Sequence, residues 1–233
     1  MGLLEESIRR GKKAFVLLGE SGSGKSEIAV NWALALAAKG NRVRFFDMDQ
    51  TKPIFRSRER AAFMERHGIV VEMPHQVLDA PTVPDAVYDK VRDSEFVSVL
   101  DVGGNVNGAR VIAQFRGAWE DKVVPCAVVN WFRVFHDTDT ALVQAMEAIA
   151  SAASFREFEV ISNPNFGEAT TLAETIEGHE KTVGTLRGTG HSADLLVTRN
   201  EYVQEVRKAF PDIEVMGIKR CIRAPWEENG EEV

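Results

Sequence analysis

The sequence predicts an α/β fold: a doubly wound, mostly parallel sheet with helices on both faces. Three observations support this prediction. Short apolar runs alternate with longer helical segments along most of the 233 residues. Several runs are apolar at every position, as in strands that are buried on both faces. A glycine-rich segment separates the first apolar run from an alanine-rich helix, which gives the order strand, loop, helix.

The elements follow in order from the amino terminus. Residues 14–18 (AFVLL) form the first predicted strand, and residues 25–39 form a helix that ends at Gly40. The next apolar runs, residues 43–46 and 96–100, each end at an aspartate, Asp47 and Asp101. Further strands are predicted at residues 127–129, 158–161, 195–198 and 213–218, and further helices at residues 141–152 and 202–210.

The rest of the chain gives weaker signals. Residues 71–85 contain three prolines, so we expect an irregular connection there. Residues 224–233 form an acidic tail, which we expect to be frayed, with Trp226 docking it. We find no repeat and no low-complexity linker, and a chain of this length suits one core. The sequence therefore predicts a single domain at residues 1–233.

Composition argues against several classes of protein. The net charge of −7 disfavours broad electrostatic binding to nucleic acid or to acidic lipid. Cys126 and Cys221 form no CxxC pair and do not cluster with the five histidines, which disfavours a disulfide framework or a zinc site. The amino terminus lacks a signal-peptide pattern, and no apolar run has a membrane-spanning length. We therefore expect a cytoplasmic protein with no membrane contact.

The glycine-rich segment matches the phosphate-binding pattern GxxxxGK[ST] at every fixed position. Its glycines let backbone N–H groups approach an anion, and the following helix directs its amino terminus at the same point. We expect Lys25 to contact the β- and γ-phosphates and the Ser26 hydroxyl to bind Mg²⁺. The predicted cofactors are ATP or ADP with Mg²⁺. The segment, called the phosphate loop below, is Gly19, Glu20, Ser21, Gly22, Ser23, Gly24, Lys25 and Ser26.

Acidic residues follow two of the predicted strands. Asp101 precedes two glycines, and a carboxylate there can hold Mg²⁺ while a following glycine N–H faces the γ-phosphate. Asp47 and Asp49 should lie at the same carboxyl edge of the sheet. We expect Asp47 in the metal shell and Asp49 at the attacking water. A solvated turn residue or a helix cap is the alternative for these acids.

Three arginines, Arg56, Arg58 and Arg60, follow the second strand. Arginine can stabilise charge that develops on a transferring phosphoryl group. A basic run on a helix is more often a solvated face, so both interpretations stay open.

These motifs resemble the MinD/ParA/CobQ-like branch of P-loop ATPases. The segments GSGKSEIAVNWALALA, DMDQTKPIFRSRE and LDVGGNVNGAR are similar to those of uncharacterised ATP-binding proteins in that branch. The resemblance implies a P-loop NTPase fold, a γ-phosphate-sensing role for Asp49, and a second switch at Asp101 and Gly104. It also implies a base contact for Asn163, which could equally be a turn former before Pro164.

The chain departs from this branch at one position. Partition and cell-division members carry a second lysine after the first glycine of the loop, and they use it across a dimer. Glu20 stands at that position here, so a homodimer is possible without that lysine. Asn163 is followed by Pro164, Asn165 and Phe166 and by no carboxylate, which favours adenine over guanine. Asn130 is a second candidate for the base contact.

The leading functional hypothesis is a slow ATPase whose nucleotide state changes the loops after Phe46 and Asp101 to act on an unidentified client protein. Residues 51–66 are the expected coupling surface, with Phe55 and Phe63 either exposed to the client or buried. A small-molecule kinase or ligase is the alternative, although no acceptor motif is recognisable. A nucleotide-gated binding module without turnover is a third possibility.

Overall fold

The computed structural model describes residues 2–49, 61–72, 85–119, 121–133 and 139–221. These residues form an eight-stranded parallel sheet with helices on both faces, so the predicted fold class is confirmed. The strands are β1 (Ala14–Leu18), β2 (Val43–Met48), β3 (Val70–Glu72), β4 (Val97–Val102), β5 (Val123–Val129), β6 (Glu159–Ser162), β7 (Leu195–Arg199) and β8 (Glu214–Ile218).

Helices connect these strands, and two 3-10 turns lie at Gly167–Ala169 and Asn200–Tyr202. Among the described residues no helix has the length and apolar character needed to cross a membrane. The helices are α1 (Leu3–Arg9), α2 (Lys25–Ala38), α3 (Ala61–Arg66), α4 (Asp85–Arg92), α5 (Val106–Ala113), α6 (Arg116–Trp119), α7 (Asp139–Ala152), α8 (Leu172–Leu186) and α9 (Val203–Ala209).

The strand order is β3-β2-β4-β1-β5-β6-β7-β8. Because all strand pairs are parallel, the carboxyl ends of all the strands meet at one edge of the sheet. Strands β2, β3 and β4 lie on one side of β1, and β5 to β8, which follow β4 in the chain, lie on the other side. Ligands of open α/β sheets bind where the order reverses in this way, so the fold places a binding crevice at the carboxyl end of β1.

The two faces of β1 pack against different helices. Phe15 and Leu17 face α2, where the buried Trp32 ring meets Phe15 edge-on with 5.7 Å between the ring centroids. Val16 and Leu18 face the opposite layer, which includes α5 and α7. Continuous burial of all five β1 residues explains why the strand shows no alternation in the sequence.

The structure corrects several element predictions, among them the start of β5 at Val123 and the unpredicted helix α8. Strands β2 and β4 continue past the apolar runs and include Asp47 and Asp101, because these ends pair with each other in the sheet. Val71 and Glu72, predicted to be irregular, pair with β2 in the short strand β3. Asp85, also predicted to be irregular, begins α4, whereas residues 73–84 and the tail at 224–233 lie outside the described residues.

Candidate functional site

The phosphate loop connects the carboxyl end of β1 to the first residue of α2. Its backbone folds tightly, with the Ser23 N–H donating to the Glu20 carbonyl at 3.1 Å. Gly22 and Gly24 have φ of +80° and +87°, a region that side chains disfavour. A Cβ at Gly24 would also collide with the Asn163 amide. The glycine pattern therefore reflects both the left-handed backbone and the close approach of other segments.

Lys25 and Ser26 are the first two residues of α2, close to the carboxyl end of β1. The Lys25 side chain is buried, and a Cβ at Gly104 would lie 3.0 Å from its Nζ. The Ser26 hydroxyl is hydrogen-bonded to the Asp101 carboxyl. The structure therefore brings Ser26 to Asp101 at the end of β4 and Lys25 to Gly104, which follows that strand.

The acids predicted from the sequence lie side by side. Asp47 on β2 and Asp101 on β4 are direct neighbours in the sheet register, and both are buried. The Asp47 carboxylate accepts a hydrogen bond from the Asp49 backbone N–H at 3.1 Å. Asp49 is also buried, and its Oδ1 lies 3.4 Å from the position of a Cβ on Gly103. The three acids thus lie together at the carboxyl end of β2 and β4, and Asp49 faces Gly103.

Electrostatics distinguish Asp101 from an ordinary surface carboxylate. Burial raises the pKa of Asp101 to about 7, and the Asp47 and Asp49 carboxylates also raise it. The Lys25 ammonium and the Ser26 hydroxyl act in the opposite direction. The pKa shift therefore comes mainly from the cost of holding a negative charge away from water, and a bound cation would remove that cost.

The donor set at this position fits Mg²⁺. Asp101 Oδ1 is buried and has no hydrogen-bond partner within the described part of the chain, although the Ser26 hydroxyl lies beside the same carboxyl. Among the residues described, no three His, Cys, Asp or Glu side chains form a metal-binding group. Mg²⁺ commonly takes one or two protein oxygens and completes its shell with phosphate oxygens and water. The site therefore fits a cation that binds together with a phosphate.

Asparagines link the phosphate loop to the ends of β5 and β6. The Asn163 Nδ2 donates to the Ser23 carbonyl at 2.7 Å, so the predicted base-contact residue is attached to the loop itself. The Asn130 Nδ2 donates to the Asn165 carbonyl at 2.8 Å, and the Asn130 Oδ1 accepts from the Phe132 and Asn165 N–H groups. Asn130, the weaker base-contact candidate, thus joins the two strand-end loops.

Arg133 is a residue of this site that the sequence analysis missed. It follows β5, and its guanidinium lies where a Cβ on Gly22 would be, in contact with the phosphate loop. With Glu20 it lines a small cavity between the loop, β5 and α7. Arg133 therefore places a second positive side chain beside the loop, in addition to Lys25. Nothing in its local sequence indicates this position, because the contact depends on β5 lying next to β1.

Helix α2 also holds the chain that follows β8. The Asn31 Nδ2 donates to the Lys219 carbonyl at 2.9 Å, and the Asn31 Oδ1 accepts from the Lys219 N–H at 3.0 Å. One turn earlier, the Glu27 carboxylate accepts the Cys221 N–H. The first turns of the helix that begins at the phosphate loop are thus bonded to the last described residues of the chain.

Some predicted residues lie elsewhere. Arg56, Arg58, Arg60 and Phe55 lie outside the described residues. Phe63 in α3 packs partly buried against the core, with its ring 4.4 Å from that of His67. The predicted coupling surface is therefore described only at residues 61–66.

Comparisons with known proteins agree with this geometry. A family model described as ATPase MipZ matches residues 14–106, which is less than half of the chain. Those residues include β1 to β4, the phosphate loop and the three acids. A comparison with curated proteins gives no match.

Solved structures with a similar fold include two FtsY proteins. The cell division protein FtsY from Thermotoga maritima matches with a TM-score of 0.54 and 16% identity over 80% of this chain and 62% of its own. The signal recognition particle receptor FtsY from Elizabethkingia anophelis matches with 0.51 and 14% identity, over 78% and 57% of the two chains. The chain has the fold of a P-loop NTPase. It spans about three fifths of the length of these FtsY structures.

Proposed function

We propose that this P-loop NTPase binds ATP with Mg²⁺, hydrolyses it slowly, and uses the difference between its ATP and ADP states to act on a client protein. The observation that carries the proposal is a chain of contacts: the segment after Asp101 touches the phosphate loop, and Asp49, in the segment after Phe46, touches that segment. The Ser21 N–H of the loop donates to the Gly104 carbonyl at 3.0 Å, and Asp49 faces Gly103. A change in what the phosphate loop binds therefore reaches the segment after Asp101 directly, and it reaches Asp49, in the segment after Phe46, through Gly103.

Each polar residue has a role that its position supports. Lys25 would neutralise phosphate oxygens, and Ser26, Asp101 and Asp47 would hold the metal. Mg²⁺, when bound, would neutralise charge on the phosphates. Asp49 orients the attacking water, because it is the acid next to Gly103. The Gly104 N–H would donate to the γ-phosphate. The hydrogen bond from the Ser21 N–H to the Gly104 carbonyl would then change with nucleotide state.

Adenine is the proposed base. The loop at residues 163–166 lacks a carboxylate, and selectivity for guanine commonly uses one. Asn163 contributes the base contact in this proposal: its Nδ2 is bonded to the Ser23 carbonyl, which leaves the Oδ1 to accept from an amino group.

The test of this function uses paired substitutions with ATP binding and phosphate release as separate readouts. Lys25→Ala should abolish binding of Mg²⁺ATP, whereas the exposed Lys181→Ala should bind like wild type. Asp49→Asn should retain binding and lose hydrolysis, whereas the exposed Asp121→Asn should retain both. Unchanged hydrolysis by Asp49→Asn would refute the role given to this acid.

The client is tested by adding fractions of a cell extract to the wild-type protein. Slow basal phosphate release that a protein fraction accelerates supports the proposed coupling. Acceleration by a small-molecule fraction alone would instead indicate a kinase or ligase, and tight binding without release would indicate a binding module.

A further inference from the structure

Two phenylalanines stack at the same edge of the sheet as the phosphate loop. The rings of Phe132, after β5, and Phe166, after β6, have centroids 4.4 Å apart and planes 31° from parallel. Phe166 is 52% exposed, more than the other exposed large apolar side chains among the described residues, Val70 at 41% and Val106 at 36%. A large ring held at a ligand-binding edge with this exposure presents an apolar face to whatever binds there.

The pair is held in position by its surroundings. The Phe166 N–H donates to the buried Thr170 Oγ1 at 2.8 Å, and the Phe132 N–H donates to Asn130 at 3.1 Å. The Phe132 ring packs on Gly178 of α8, where a Cβ would lie 2.6 Å from its Cε2. The order from helix to solvent is therefore α8, Phe132, Phe166. Both backbones are fixed before any ligand arrives, which lowers the entropic cost of binding.

The pair also has a defined relation to the phosphate loop. Phe166 directly follows Asn165, whose Nδ2 lies 3.5 Å from the position of a Cβ on Gly24. On the other side of β1 in the sheet order, β4 and β2 carry the buried acids Asp101 and Asp47. Those acids suit a metal and the terminal phosphate, and they are unsuited to an apolar base. A nucleotide whose phosphates occupy the loop therefore extends its nucleoside toward β5 and β6.

We propose that the purine base of the bound nucleotide stacks on the exposed face of Phe166, with Phe132 supporting the ring from behind. This inference rests on the proposed nucleotide-binding function and deepens it. Stacking uses the flat face that all bases share, so it contributes affinity without distinguishing adenine from guanine. The Phe132–Phe166 pair supplies affinity for the base, and the choice between bases falls to polar groups such as Asn163.

Calorimetric titration tests the proposal with three probes: Mg²⁺ATP, Mg²⁺GTP and Mg²⁺ tripolyphosphate, which has no base. For each nucleotide that the wild-type protein binds, Phe166→Ala should lower the affinity by about 5- to 140-fold. This range corresponds to about 1–3 kcal/mol per stacked base. Its affinity for tripolyphosphate should stay at the wild-type value. Phe166→Tyr, which keeps a ring, should bind nucleotides like wild type, whereas Phe166→Leu should resemble Phe166→Ala.

Val70→Ala is the matched control, because Val70 is an exposed apolar residue on β3, at the far end of the sheet order from Phe166. It should leave all three affinities unchanged. Equal nucleotide affinity in Phe166→Ala and wild type would overturn the stacking proposal and leave the nucleotide-binding function intact. An equal loss for tripolyphosphate would also overturn it, because it would assign Phe166 to the shape of the phosphate loop. A wild-type protein that binds no triphosphate would overturn both proposals.

Discussion

The contact between Gly104 and the phosphate loop gives a sharp prediction for Gly104→Ala. The added Cβ would lie 2.7 Å from Ser21 N, 2.8 Å from Ser21 Cα and 3.0 Å from Lys25 Nζ. Two of these atoms belong to the backbone and cannot rotate away. The loop after β4 and the phosphate loop must therefore separate, and the hydrogen bond between Ser21 and Gly104 is lost.

The expected cost follows from two contributions. Inserting a methyl group into a closely packed contact costs about 1–3 kcal/mol, and losing one backbone hydrogen bond costs about 0.5–1.5 kcal/mol. A total of about 1.5–4.5 kcal/mol corresponds to a fall in melting temperature of about 3–18 °C for a chain of this size. The rate of hydrolysis should fall by more than the loss of folded protein accounts for. The separation of the two loops displaces both the Lys25 ammonium and the segment after Asp101 from the nucleotide site.

The assay combines thermal unfolding with phosphate release at saturating Mg²⁺ATP. Gly184→Ala in α8 is the matched control, because a Cβ there meets none of the described atoms within 4 Å and alanine favours a helix. It should stabilise the protein by about 0.4–1 kcal/mol and leave hydrolysis unchanged. Wild-type stability together with wild-type hydrolysis in Gly104→Ala would refute the argument that this contact couples the two loops.

Three further predictions concern buried side chains. Trp32→Ala should lower the free energy of unfolding in urea by about 3–5 kcal/mol, because the fully buried ring packs on Phe15; a loss below about 1 kcal/mol would contradict that packing. Burial lowers the pKa of His179 from 6.5 to about 4, so unfolding takes up a proton and stability should fall as the pH drops from about 6.5 to 4. His179→Phe should flatten that part of the urea-midpoint profile against pH, and an unchanged profile would refute the assignment. Asn163→Asp replaces the donor to the Ser23 carbonyl by a carboxylate, so the free energy of unfolding should fall by about 1–3 kcal/mol. Mg²⁺ATP should also bind more weakly in calorimetry. Wild-type values for both measurements would show that the hydrogen bond is dispensable.

The sequence predicted the part of the fold that depends on local signals. The bounds of β1 are as predicted, and α2 ends within one residue of its predicted end, because an apolar run, a glycine loop and a glycine stop lie close together in the chain. The rule that parallel strands end at one edge predicted that Asp47 and Asp101 lie at the same edge of the sheet, whereas their direct adjacency depends on the pairing of β2 with β4.

The position of Arg133 and the strand β3 depend on contacts between distant segments of the chain. The start of α8 depends on a local motif that the strand and helix predictions did not use. Arg133 reaches Gly22 only because β5 pairs with β1, and no local pattern states that pairing. Strand β3 has three residues, too few for a periodicity, and it exists because β2 offers it partners. Helix α8 did carry a local signal: Thr171 and Glu174 form a capping box at its start, and the spacing of threonine and glutamate is readable in the sequence.

The attachment of α2 to the chain after β8 has a consequence for the solubility of the protein. β8 is the last strand in the sheet order, and a strand in that position can recruit a strand of another molecule. Asn31 and Glu27 hold the residues that follow it against the helix that begins at the phosphate loop. Nucleotide bound to the phosphate loop should therefore stabilise the residues that follow β8. We expect the protein to aggregate more slowly on heating with nucleotide than without it.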